Sequence, residues 1–263
     1  MIRPRSTLTP AVAFVSLLLL LALSAPLVAP FAPDAVDLAS RRASPSLSHW
    51  FGTDALGRDV LSRVLYGARV SLAVGVLSAA LAVSLGAAIG ALGGYLGRAT
   101  DAMLMRVTDA MLSVPRLPLL MVLGAILQPS ILALVVMVGI VGWMETARVT
   151  RAEVLSIRAR GYIEASRAAG ATLVRQILRH LLPNALPALA VAGTLAVGRG
   201  ILLESTLSFF GVGVQPPAAS WGNMLYQAQS AMTTEPWLAL FPGMMIFATV
   251  AAINSLGERL AHG

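Results

Sequence analysis

The chain has 263 residues, of which 57% are hydrophobic and 12% charged, against about 25% charged in an ordinary soluble domain. That much apolar surface would aggregate in water but is accepted by a bilayer, so the composition excludes a soluble globular domain and points to an integral membrane protein. All 19 basic residues are Arg, the net charge is +7 and there is no Cys; these facts exclude a P-loop, which needs its Lys at the phosphates, and disulfides, thiolate metal sites and a Cys nucleophile.

A spanning helix needs roughly 20 mostly apolar residues to cross about 30 Å of hydrocarbon. The first candidate is 8–28, behind Arg3 and Arg5. It is long for a signal-peptide core and no good A-x-A site follows, so 1–30 is expected to be a tail and an uncleaved anchor. Residues 31–70 are mixed and polar, broken by Pro33 and Pro45. There Asp59 is suited to cap a short amphipathic helix, and Trp50 and Phe51 suit an interface.

The second span is expected at 71–96. It carries Gly86, Gly90 and Gly94 at spacing four, either to let another helix approach closely or simply because membrane helices tolerate Gly. Thr100 or Asp101 is suited to cap a third helix at 102–127, with Pro115 and Pro118 kinking it. Pro129-Ser130 reads as a tight turn before a fourth span at 131–144.

Residues 145–183 are polar, with seven Arg against three Glu, and read as a structured loop that is helical in pieces. A fifth span at 185–207, a Gly/Pro-rich stretch at 208–236 and a sixth span at 237–256 complete a five-helix core over 71–258. Residues 259–263 form a tail. The fold class expected is therefore all-α, with about six transmembrane helices. The Arg surplus is not interleaved with aromatics on a soluble surface, so it suggests a lipid membrane and no nucleic acid. It places 145–183 and both termini in the cytoplasm and 31–70 outside.

Few charges fall inside the predicted spans. Arg116, Arg199 and Glu204 are the main exceptions, and intramembrane ionisable groups are pathway candidates by default. Arg199 and Glu204 are the pair singled out, although a spacing of five places them poorly on one helix face. Pairing with other helices or snorkelling to an interface is the structural alternative. His49, His180 and His262 lie far apart and suggest no metal site.

The distinctive polar segment reads Tyr162-Ile163-Glu164-Ala165-Ser166-Arg167-Ala168-Ala169-Gly170. A short helix with small residues at 165, 166, 168 and 169 has a slim face that can seat in a partner's groove. Gly170 is suited to end it in the left-handed conformation. An amphipathic run follows, and Leu182-Pro183 leads into the fifth span. By composition alone, a helix pair resting on lipid headgroups fits equally well.

This segment resembles the EAA loop of permeases from binding-protein-dependent ATP-binding-cassette importers, with Glu164, Ala165, Ser166, Gly170, Leu182 and Pro183 at matching spacing. Ser166 replaces the second Ala of that pattern and His180 replaces its Ile. His49-Trp50-Phe51-Gly52-Thr53-Asp54-Ala55-Leu56-Gly57-Arg58-Asp59 is similar to the outer signature of the C-type permease in dipeptide, oligopeptide and nickel importers. Glu204 to Gly213, followed by Pro216-Pro217 and Trp221-Gly222, is similar to that branch's loop after the fifth helix.

The resemblance covers about 31–258. It implies a peptide permease in the bacterial inner membrane, with nickel chelates or other small solutes as alternatives. It implies that Glu164, Ala165, Ser166, Ala168, Ala169, Gly170, Leu182 and Pro183, in a loop at about 150–183, contact one of one or two ATPase subunits. It implies a second homologous permease and an external solute-binding protein. No cofactor and no metal is expected in this chain, with ATP and Mg held by the ATPase, so the chain itself is not an enzyme. A secondary transporter using Glu204 is the rival of another class, and no convincing internal repeat supports it.

Overall fold

The structure is a computed structural model, and it describes residues 10–127 and 130–262. Arg3, Arg5, the start of the first apolar stretch and Pro129 of the expected turn lie outside the described residues.

Among the described residues every element of the bundle is a helix. α1 (Pro10–Leu23) is apolar on all sides, and α2 (Ala25–Val28) adds one turn after Ser24. α3 (Val60–Leu96) runs unbroken for 37 residues, about 55 Å at ~1.5 Å per residue. The short helix expected after Asp59 and the span expected from 71 are thus one helix. The Asp59 carboxylate caps it, accepting from the Ser62 N–H at 2.7 Å and the Ser62 hydroxyl at 2.8 Å.

α4 (Arg98–Ser113) and α5 (Arg116–Ile126) replace the kinked third helix; they meet at 82°. Pro115, which cannot donate an N–H, sits at the break with extended backbone. Gly97, at φ +66°, makes the reversal into α4, so the expected cap at Thr100 or Asp101 is not the one used. Asp101 lies in the first turn, where Arg151 has claimed its carboxylate.

α6 (Ile131–Arg158) extends well beyond the span expected to end at 144. α7 (Gly161–Ala168) and α8 (Leu173–Gln176) follow. The chain then passes through a wide π turn, Ile177–Leu181, into α9 (Leu182–Phe209). Pro183 occupies the first turn of α9, where its missing N–H costs least. α10 (Trp221–Ala228) and α11 (Trp237–His262) complete the fold.

Among the described residues four helical stretches are long and apolar enough to cross a membrane: Val60–Leu96, Ile131–Arg158, Leu173–Phe209 and Trp237–Ala261. The bent α4–α5 pair makes a fifth if it counts as one span, and α1 is shorter.

α3 and α6 form the most extensive helix pair, and α9 packs on α3, α6 and α11. The row Gly86, Gly90, Gly94 is what brings α3 against α6. A Cβ on Gly86 would lie 2.6 Å from the Trp143 carbonyl, and one on Gly90 2.7 Å from the Thr150 Cβ. The row is therefore a packing face and not tolerated Gly alone.

A ladder of charges along α6 stitches down the broken pair. Glu145 takes Arg116 at 2.8 Å, Arg148 takes Asp109 at 2.5 Å, and Arg151 grips both oxygens of Asp101. These pairs are 29 to 50 residues apart in sequence.

Candidate functional site

Three places concentrate polar chemistry: the α7–α8 hairpin, the folded segment before α3, and a charged group between α5, α6 and α9.

Among its described side chains, α7 stands on a single deep anchor. Ile163 has no exposed surface and packs among Val154, Ile157, Ile177, Leu181 and Ala185. Glu164, Ala165, Ala168, Ala169 and Gly170 are exposed and Ser166 is half-buried. The helix ends in a Schellman motif. Gly170 has φ +79°, the Ala171 N–H reaches the Ser166 carbonyl at 3.1 Å, and the added Cβ at Gly170 would meet nothing. The result is a narrow, open ridge of small side chains with one carboxylate.

The base of the hairpin is tied to three long helices. Tyr95, near the end of α3, donates to Gln176 Oε1 at 2.8 Å, and Gln176 is fully buried. The Arg160 N–H bonds Ile157 of α6. α8 runs into α9 through the π turn, where Leu182 is half-buried and Pro183 exposed. Gln176 escaped the sequence reading. Its signal was a position three after Leu173 and beside Ile177, on the apolar face, where a polar residue needs a buried partner.

The segment before α3 is a folded brace. His49 Nδ1 meets Asp59 at 3.0 Å, Asp54 holds Arg58 at 2.6 Å, and Arg58 and Arg63 both donate to Gln227 Oε1, at 2.8 and 3.2 Å. Arg42 pairs with Glu235 at 3.3 Å. Gly52 and Gly57 have φ of +74° and +75°, and a side chain on Gly52 would collide with the Ala43 carbonyl and the Trp237 ring. The histidine-to-aspartate signature thus locks the start of α3 to α10 and to the start of α11.

The two pathway candidates part company. Glu204 is completely buried and faces hydroxyls: Ser71 and Ser208 each donate at 2.8 Å and Ser205 at 3.4 Å. Ser71 Oγ in turn accepts from the Trp221 N–H at 3.2 Å. Glu204 therefore knots α3, α9 and α10 together, and it does not pair with Arg199. Arg199 reaches across to Glu145, as does Arg116. Glu145 belongs to the stretch expected to be a polar loop, yet α6 carries it straight into the bundle. A cavity of about 430 Å³ opens beside it, lined by Glu145, Thr146, Arg199 and apolar residues of α6, α9 and the end of α11.

Residues 82–262 match the family described as binding-protein-dependent transport system inner membrane component. The chain is 44% identical over 245 residues to a protein assigned as a peptide permease in Brucella suis biovar 1, covering 92% of this chain and 81% of that one. It is 36% identical over 244 residues to the oligopeptide transport system permease protein OppC of Bacillus subtilis, covering 93% and 80%. Among solved structures, a chain of the MetNI methionine ABC transporter in inward-facing conformations matches with a TM-score of 0.61, 21% identity, and coverage of 76% of this chain and 95% of that one. At that identity the likeness concerns the fold alone.

Proposed function

We propose that this chain, which belongs to the family of binding-protein-dependent transport system inner membrane components, is the peptide-conducting permease subunit of an ATP-binding-cassette importer. It is a multi-pass inner-membrane protein, and the family is a transport component rather than an ATPase. The pathway is completed by a second, homologous permease. One or two ATPase subunits bind ATP and Mg, and an external binding protein delivers the peptide. This chain holds no cofactor of its own.

α7 is the coupling helix. Glu164, Ala165, Ser166, Ala168, Ala169 and Gly170 seat in the ATPase, and Leu182-Pro183 ends the loop. The observation that carries this reading is the exposed ridge of small residues standing on the buried Ile163. Because its base is tied to α3, α6 and α9, a displacement of α7 is passed to the bundle instead of being absorbed in a loop. ATP-driven closure of the ATPases then moves the permease as a two-state rigid-body switch. The Arg surplus of 145–183 supports a cytoplasmic α7 and an external brace, which with six spans leaves both termini in the cytoplasm.

The test is co-purification from native membranes through a C-terminal tag. A second permease and a Walker-type ATPase are expected, and Gly170→Pro is expected to lose the ATPase alone. Recovery of this chain only with copies of itself contradicts the importer reading.

A further inference from the structure

The Arg116–Glu145–Arg199 group is left unused by coupling. Three helices bring it together: Arg116 opens α5, Glu145 lies midway along α6, and Arg199 is well inside α9. Arg199 is 17 residues from the start of α9 and ten from its end, or about 26 Å and 15 Å along the axis. Charges at such depth are costly and persist where they are paired or face a water-filled space.

Two guanidinium groups share one carboxylate, leaving one positive charge uncompensated. Arg116 lies mostly covered, at 25% side-chain exposure, whereas Arg199 is 47% exposed and lines the cavity of about 430 Å³. That volume is within the range of about 300–1,000 Å³ that holds small organic ligands. Along α9 the same cavity is walled by Ala188, Ala192 and Ala196 at spacing four, leading directly to Arg199. Among the described residues, Glu145, Thr146 and Arg199 are its only charged or hydroxyl-bearing lining residues.

We propose that Arg199, backed by Arg116, receives the carboxylate of a peptide in transit, and that Glu145 is the internal carboxylate the peptide displaces. A carboxylate entering an apolar-walled space loses its water and needs a compensating cation. A guanidinium offers it a planar pair of donors. Glu145 serves a second purpose. It keeps Arg199 satisfied when the site is empty, and by competing for it keeps the bound state weak enough for release. The alanine wall supplies no group that would hold the rest of the peptide.

This inference rests on the peptide-importer reading, so the test has a separate control for it. The purified complex with its partner subunits is irradiated with a tripeptide, alanine–photo-leucine–alanine, as the free acid and as the C-terminal amide, and labelled segments are mapped by mass spectrometry. The free acid is expected to label 188–199 about tenfold more than the amide, ~1.4 kcal/mol of preference. Arg199→Gln is expected to fall to the amide level, Arg199→Lys to keep the preference, and Glu145→Gln to raise it. Equal labelling by acid and amide, no labelling of 188–199, or a preference unchanged in Arg199→Gln overturns the proposal. The control is ATP-driven uptake of the same free acid by reconstituted wild-type complex. Its absence overturns the importer reading itself, whereas uptake without the acid preference overturns only the site.

Discussion

Ile163→Ala removes the root of α7. The side chain is fully buried, and among the described side chains of α7 it alone is so. Truncation deletes three carbons, worth about 2.4 kcal/mol at ~0.8 kcal/mol each. A residual cavity among Val154, Ile157 and Leu181 raises the loss into the range of about 2–5 kcal/mol for such changes. At about 1.4 kcal/mol per factor of ten, the ratio of docked to undocked α7 falls about fiftyfold. The transmembrane helices keep their own cores, so assembly in the membrane is expected to persist. In proteoliposomes, peptide-stimulated ATP hydrolysis and uptake should both fall by about tenfold or more, and amides of 161–171 should exchange faster. Ile163→Val, losing one carbon, should remain within about fivefold of wild type. Wild-type uptake by Ile163→Ala, with unchanged exchange at 161–171, would refute the claim that this anchor transmits the motion.

Gly90→Leu should separate α3 from α6, since even a Cβ there lies 2.7 Å from Thr150; a loss of about 1–3 kcal/mol or more would appear as a lower melting temperature in detergent. Glu204→Gln keeps an acceptor for one of the hydroxyls of Ser71 and Ser208 and donates its amide N–H to the other, and should transport normally. Glu204→Leu strands those hydroxyls at a cost of about 1–3 kcal/mol, and reduced membrane yield would show it; failure of the Gln variant alone would restore Glu204 as a pathway group. Asp59→Ala removes the α3 cap and the His49 contact, worth about 0.5–2 kcal/mol, and proteolysis of 31–59 from outside should accelerate.

Hydropathy located the apolar parts of the long helices because lipid forces backbone groups to be satisfied within the segment. The helix ends were hidden where polar residues find partners far away in sequence. α3 begins at Val60 and not at Ser71 because Arg63 is satisfied by Asp54 and Gln227, the latter 164 residues distant. α6 runs past Met144 because Glu145, Arg148 and Arg151 are neutralised by α4 and α5. Pro115 announced a break, but not its 82° angle, and the same pairs hold both halves of the break against α6. The α7 ridge was legible, since Gly170 and its small neighbours are local signals. The charged group around Arg199 was half legible: Arg199 stood out in its apolar span, although it was singled out with Glu204, and its partner Glu145 looked like loop.

The most direct test of coupling exploits the absence of Cys from this chain. Ala168→Cys, on the exposed face of α7, gives a unique thiol that can be joined to a photoreactive maleimide and irradiated in native membranes. An adduct between this chain and a Walker-type ATPase, lost when Gly170→Pro is added, is the predicted result. A thiol that labels normally yet yields no ATPase adduct would contradict the claim that α7 is where ATP hydrolysis reaches the permease.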